Sequence, residues 1–155
     1  MVMQAAGFPD PIADRQFYEG VPARRLAAFF VDLLVILVLL GGVTLVVALL
    51  GLVTFGLAFV FLVPAFALTG IIYRTTMIME RSATLGMMLM GIELRDARGE
   101  RLETVLAAVH SAVFTAFSYL PPVMILSLAW AAWNPRGQLF HDILCQTVMI
   151  NRPEG

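Results

Sequence analysis

The chain has 155 residues, 60% hydrophobic and 14% charged, with a net charge of −1. Soluble domains carry about 25% charged residues, so this composition points to a membrane protein. The length allows one compact domain and excludes the two repeated halves on which many transporters are built. All ten basic residues are arginine, and a single cysteine, Cys145, rules out an internal disulfide.

Residues 1–22 are polar, with Pro9, Asp10, Pro11, Asp14 and Glu19. They lack the basic start and short apolar core of a signal peptide and read as a tail. Residues 26–50 are apolar enough for a first transmembrane helix, since about 20 residues cross the hydrocarbon. Gly41-Gly42 and Gly51 interrupt this run, and Gly51 is the better turn. A second span follows over residues 53–73 with Pro64 inside it, which neighbouring groups in a membrane can accommodate.

The next segment, 74–103, holds Arg74, Arg81, Arg95, Arg98 and Arg101, whereas the link between the two spans carries no charge. The positive-inside rule then places this segment and the N-terminus in the cytoplasm. Within it, Ser82–Met90 is short and apolar and reads as an interfacial helix. Residues 91–95 alternate like a strand, and Asp96-Ala-Arg-Gly99 has turn chemistry. Thr147-Val-Met-Ile150 is a second β-branched run, expected to pair with residues 92–95.

Residues 104–133 allow two readings. As one helix they form a third span of 30 residues. Pro121-Pro122 divides them into pieces of 17 and 11 residues, and a helical hairpin returning to the cytoplasm is the favoured reading. Trp130 and Trp133 then sit at the interface, where indole rings are enriched. The predicted fold is an all-α membrane protein: two transmembrane helices, a Pro-Pro-broken hairpin or third span, and a small cytoplasmic β-hairpin or strand pair.

The ionisable residues inside apolar surroundings carry the functional reading. Asp32 follows Arg25 by seven positions, and no charged residue appears between Asp32 and Arg74. A carboxylate at a helix centre costs roughly 2.5–3.5 kcal/mol on insertion scales. At 100° per residue Arg25 and Asp32 share one helix face, about 10.5 Å apart along the axis, with small Ala28 between them. Direct contact is excluded at that spacing, because helix neighbours are three or four residues apart. Partners must come from elsewhere, and His110, His141 and Asp142 are the candidates. An Arg25–Asp142 ion pair and an Asp32–His110 pair are both reasonable.

Arg25-x-x-Ala28-x-x-x-Asp32, Ala83-Thr-Leu-Gly86, the glycine-bounded Gly91–Gly99 segment and Phe140-His-Asp142 through Thr147-Val148 together resemble the RDD family. The four motifs stand in that family's order, over about residues 22–151. The resemblance implies that its three eponymous residues are Arg25, Asp32 and Asp142. It also implies a division into an N-terminal tail (1–22), an RDD-like membrane domain (23–151) and a short C-terminal tail (152–155). Members of the family are small membrane proteins of mostly undefined function; transport of ions has been proposed, and some look like accessory parts of larger assemblies. Where the family often carries basic residues after Thr-Leu-Gly, this chain has Met87 and Met88. With Met90 they form an apolar surface suited to adaptable contacts, a candidate partner interface. His110 also stands where basic residues are common in the family.

Asp32 reads either as a hydrogen-bonded lock between helices or as a proton- or cation-handling group. No nucleophile elbow, phosphate loop or paired-carboxylate cleft points to an enzyme. The methionines lack accompanying cysteine or histidine, and the two histidines are far apart in sequence, so no metal and no cofactor are expected. Arginines at membrane edges do not suggest nucleic acid. The expected partners are the lipid bilayer and other membrane subunits or further copies of the chain. The expected role is a non-catalytic accessory or assembly subunit in the bacterial inner (plasma) membrane, multi-pass with its N-terminus cytoplasmic. The alternative is ion or small-solute transport of cation or proton type through Asp32.

Overall fold

The structure is a computed structural model that describes residues 8–153. Two long helices dominate it. The first, α1 (Val21–Val53), begins where Gly20 takes a left-handed conformation and Pro22 fixes the first turn. Its 33 residues extend about 50 Å. The expected turn at Gly51 does not occur, and α1 runs through it. Gly51 serves packing instead: a Cβ there would stand 2.8 Å from the Phe59 ring. The chain reverses at Phe55 and Gly56, whose φ angles are 52° and 92°. A 3-10 turn, Leu57–Phe61, then leads into α2 (Leu62–Arg81). Pro64 therefore falls in the first turn of α2. The amides there have no intrahelical acceptor to lose, so the proline breaks nothing. Both segments are long and apolar enough to cross a membrane.

After α2 the chain forms a compact end piece. The short helix α3 (Leu85–Leu89) precedes strand β1 (Ile92–Asp96). Helices α4 (Thr104–Ser118) and α5 (Pro121–Trp133) are followed by α6 (Phe140–Leu144) and strand β2 (Thr147–Asn151). The expected pairing holds: β1 and β2 are antiparallel, with Glu93 opposite Ile150 and Arg95 opposite Val148. They are not a hairpin, however. Asp96–Gly99 closes a turn in which the Gly99 amide donates to the Asp96 carbonyl at 2.9 Å, and no strand follows before α4. The two strands come from opposite ends of the end piece. They clasp it into one unit.

The Pro-Pro break falls where the sequence places it. The path bends by 113° between α4 and α5, so residues 104–133 do not form one straight rod. Trp130 and Trp133 lie on the exposed side of α5.

The core sits in the end piece, where Val21 and Ala28 of α1, Ile78 of α2, Ile92, Leu94 and Met149 pack together. The segment before α1 docks there too: Tyr18 is buried against Val148 and Ile150, with Phe8 and Phe17 beside it. Residues 1–7 and 154–155 of the two predicted tails lie outside the described residues. Outside the core the long helices expose large apolar side chains such as Leu34, Leu37, Val38 and Val63, the inverse of a water-soluble fold.

Of the candidate interface methionines, Met87 is buried in the core rather than presented, while Met88 and Met90 are partly buried and pack against it. Met87 holds α3 down, and the burial pattern follows the helix period: Leu85 and Leu89, four apart, take the outside.

α3 crosses α1 at backbone contact. A Cβ on Gly86 would stand 2.2 Å from the Ala28 carbonyl oxygen and 3.0 Å from the Asp32 carboxyl carbon. Small Ala28 and bare Gly86 are both needed for this approach. Gly86→Ala is accordingly expected to cost about 1–3 kcal/mol or more, read as a lowered unfolding temperature of the purified protein. Gly70→Ala, with open space around it, should be neutral or slightly stabilising; equal effects at the two positions would refute the close crossing.

Candidate functional site

The site forms where α1, α2, α3, α4 and α6 converge at the charged end of the bundle. Asp32, one per cent exposed, lies at its centre. The Tyr73 hydroxyl of α2 donates to its Oδ1 at 2.8 Å, and the Gly86 amide to the same oxygen at 2.9 Å. The Thr84 hydroxyl donates to Oδ2 at 2.6 Å. These donors do a second task. The Tyr73 oxygen accepts from the Leu85 amide at 3.2 Å, and the Thr84 oxygen accepts from the Met87 amide at 3.3 Å. The first three amides of α3 thus end, directly or through one hydroxyl, on the Asp32 carboxylate. The sequence motif Thr84-Leu-Gly86 is the docking piece for Asp32: threonine caps α3, and glycine lets its amide reach the carboxylate.

The expected Asp32–His110 pair is not formed. His110 is instead committed to Asp142, because α4 packs against α6 rather than presenting its ring to α1. Its Nε2 lies 3.0 Å from Asp142 Oδ1. Arg25 makes the other expected contact: its guanidinium pairs with Asp142 Oδ2 and donates to the Gly137 carbonyl at 2.7 Å. Asp142 also accepts from the Leu139 amide at 3.0 Å, capping its own short helix. His141 Nε2 stands 3.3 Å from Asp142 Oδ1. The rings of His110 and His141 are edge to face with centroids 5.0 Å apart, and Phe114 packs on His141 at the same distance.

Asp142 is fully buried. Burial alone would raise its carboxyl, but the Arg25 guanidinium, then His141 and His110, hold it well below the usual range. With Asp142 ionised, the His110 Nε2–H donates. His141 is pushed down to about 3, first by burial; Asp142 opposes the shift, and His110, Arg25 and Arg74 add to it. It is therefore neutral at pH 7. The Nδ1 atoms of both histidines are buried without a hydrogen-bond partner.

The sequence reading missed Tyr73, Arg74, Thr84 and Gly86 as parts of the site. Arg74 is the first charge after Asp32, and that was the available signal. It is only 7% exposed and stacks over the Phe114 ring, 4.1 Å from its centroid. Arg25, Asp32, Arg74, His110 and His141 all line one cavity of about 120 Å³.

Sequence distance is no bar to a metal site, contrary to the expectation above. Ligand atoms of His110, His141 and Asp142 lie within 4.8 Å of one another. Electrostatics oppose a dication there. Asp142 is already paired with Arg25, and a second guanidinium, Arg74, lines the same cavity.

The profile of the RDD family matches residues 20–146. The chain belongs to the RDD family. Arg25, Asp32 and Asp142, the residues assigned to the family's name, occupy two separate bonding centres of this RDD protein. Family membership and the apolar helices together point to a membrane protein. No curated protein and no solved structure matches the chain.

Removing the charge of Asp142 leaves a buried guanidinium uncompensated. Asp142→Asn is expected to cost about 3–5 kcal/mol, against about 1–3 kcal/mol for Asp32→Asn, which loses one acceptor for three donors. Denaturation in detergent checks this order; equal losses would contradict it. The histidine gives a pH dependence of definite sign. Its folded-state value lies below its unfolded value, so between about pH 6.5 and about 3 the unfolded chain binds the extra proton. Stability is complete above that window and falls as pH drops through it. His141→Gln should flatten the slope, and an unchanged slope would assign it to another group.

Proposed function

We propose that this RDD protein is a non-catalytic accessory or assembly subunit of a larger complex in the bacterial inner membrane, with its N-terminus and charged end piece in the cytoplasm. The observation that carries this reading is the bonding of Asp32. Three of the roughly four lone-pair sites of a carboxylate are taken here by internal donors, and the side chain sits against the backbone of α3. Its role is to join α1, α2 and α3. Asp142 likewise serves the attachment of α6 to α1 and α4.

The outer surface of α1 supports a partner helix. Gly41 and Gly42 have nothing within 4 Å of where a Cβ would be. Bare glycines on an open helix face allow another helix to approach closely, while the exposed Leu37, Val38 and Leu45 around them offer apolar contact.

The cavity favours a second reading. Its buried histidines and its wall at Asp32 suit an ion or small-solute transport component of cation or proton type. Two measurements separate the readings. A photocrosslinking residue at Gly42 is expected to give one discrete adduct with a different membrane chain, and none at Val105, which is exposed on α4. Adducts with copies of this chain alone would count against an accessory role. In proteoliposomes, proton or cation flux that is present in the wild type and lost in a correctly folded Asp32→Asn variant would establish the transport reading instead.

A further inference from the structure

Arg74 stands out among the buried ionisable groups because its own bonding is incomplete. Arg25 has Asp142 and Gly137; Asp32 has three donors; His110 has Asp142. Arg74 is 7% exposed and has neither a hydrogen bond nor an ion pair within the described residues. Asp32 acts on it only through space; the hydrogen bonds of that carboxylate go to Tyr73, Thr84 and Gly86.

A guanidinium carries five N–H donors in one plane. The Arg74 guanidinium carbon stands over the Phe114 ring, 4.1 Å from its centroid; a ring attracts the charge but leaves the N–H edges without an oxygen partner. Those edges belong to a residue lining the 120 Å³ cavity. An unpaired buried cation is costly, and a planar fork with free edges matches an oxyanion bidentately. The rest of the cavity indicates what the oxyanion is attached to. Leu26 and Phe29 of α1 and Leu128 of α5 line it and are also 37–49% exposed on the outside of the bundle. Met124 and Phe114 continue that apolar wall inward. The entrance is therefore apolar and leads to a buried cation.

We propose that this cavity binds the oxyanion of an anionic amphiphile, a phosphate or carboxylate head seated on the Arg74 guanidinium with its apolar tail leaving between Leu26, Phe29 and Leu128. Phe114 backs the guanidinium, Arg25 adds a second cation to the wall, and His110 and His141 complete the pocket, whose Asp32 carboxylate is held by its own donors on α2 and α3. A free inorganic oxyanion shares the head chemistry but has no use for the apolar entrance.

The full-length protein in neutral detergent tests this by native mass spectrometry and thermal unfolding. The probes are phosphatidylglycerol, phosphatidylcholine and inorganic phosphate. The wild type should retain and be stabilised by phosphatidylglycerol, not by the other two. Arg74→Gln should weaken that binding roughly ten-fold or more, and Arg74→Lys should fall between, keeping the charge but not the fork. Arg101→Gln, in the exposed loop before α4, should match the wild type. Leu128→Trp leaves Arg74 in place and narrows the entrance; it should weaken lipid binding even if Arg74→Gln does not fold. Stabilisation by inorganic phosphate that is equally lost in Arg74→Gln would keep the oxyanion site and overturn the amphiphile. Undiminished phosphatidylglycerol binding in Arg74→Gln or Arg74→Lys together with Leu128→Trp would overturn the site itself.

Discussion

A carboxylate taken out of water must regain donors for its lone pairs, and three amides at the start of a helix must find acceptors. In this protein each need answers the other. Asp32 accepts from Gly86 directly and from Tyr73 and Thr84, which in turn accept from Leu85 and Met87. One side chain on α1 therefore fixes α2, the start of α3 and the path between them. Gly86 and Ala28 permit the contact by bringing two backbones together. Everything beyond α3 is placed relative to that junction, since β1 follows it within three residues and the sheet then recruits β2.

The second centre closes the opposite side. Asp142 takes a guanidinium from α1, an imidazole from α4 and an amide from its own helix. Ionic groups buried like these are worth little as isolated attractions, because desolvation offsets the Coulomb gain. Their effect is directional: few arrangements satisfy every donor and acceptor at once. The apolar residues surrounding them could pack in several ways, and these two carboxylates select one.

Between the centres lies a space that neither fills. Its walls combine the Arg74 guanidinium over Phe114, two imidazoles and apolar side chains reaching the outer surface. The same residues that lock the bundle thus frame a pocket, and Arg74 is the one cation in it left without a bonded partner among the described residues. Stability and binding are separable there: Asp32 and Asp142 serve the first, Arg74 the second.

Features that depend on local pattern were legible in the residues alone. The two long apolar helices follow from hydropathy, the break at Pro121-Pro122 from proline geometry, and the β1–β2 pairing from two β-branched runs. The Arg25–Asp142 pair was also legible, because so few ionisable residues occur in apolar context that their combinations are limited. The rest depends on contacts between segments distant in sequence. Gly51 looked like a turn and became a packing site for Phe59, a matter of where the returning chain passes. Met87 of α3 looked like part of a contact surface and turned inward, since five residues cannot reveal which side of a helix a neighbour will cover. Asp32 looked as able to meet His110 as any other group; only the crossing of α1 and α3 gave it Tyr73, Thr84 and Gly86. Periodicity fixes the face a residue occupies on its own helix, and the packing of helices distant in sequence fixes what that face meets.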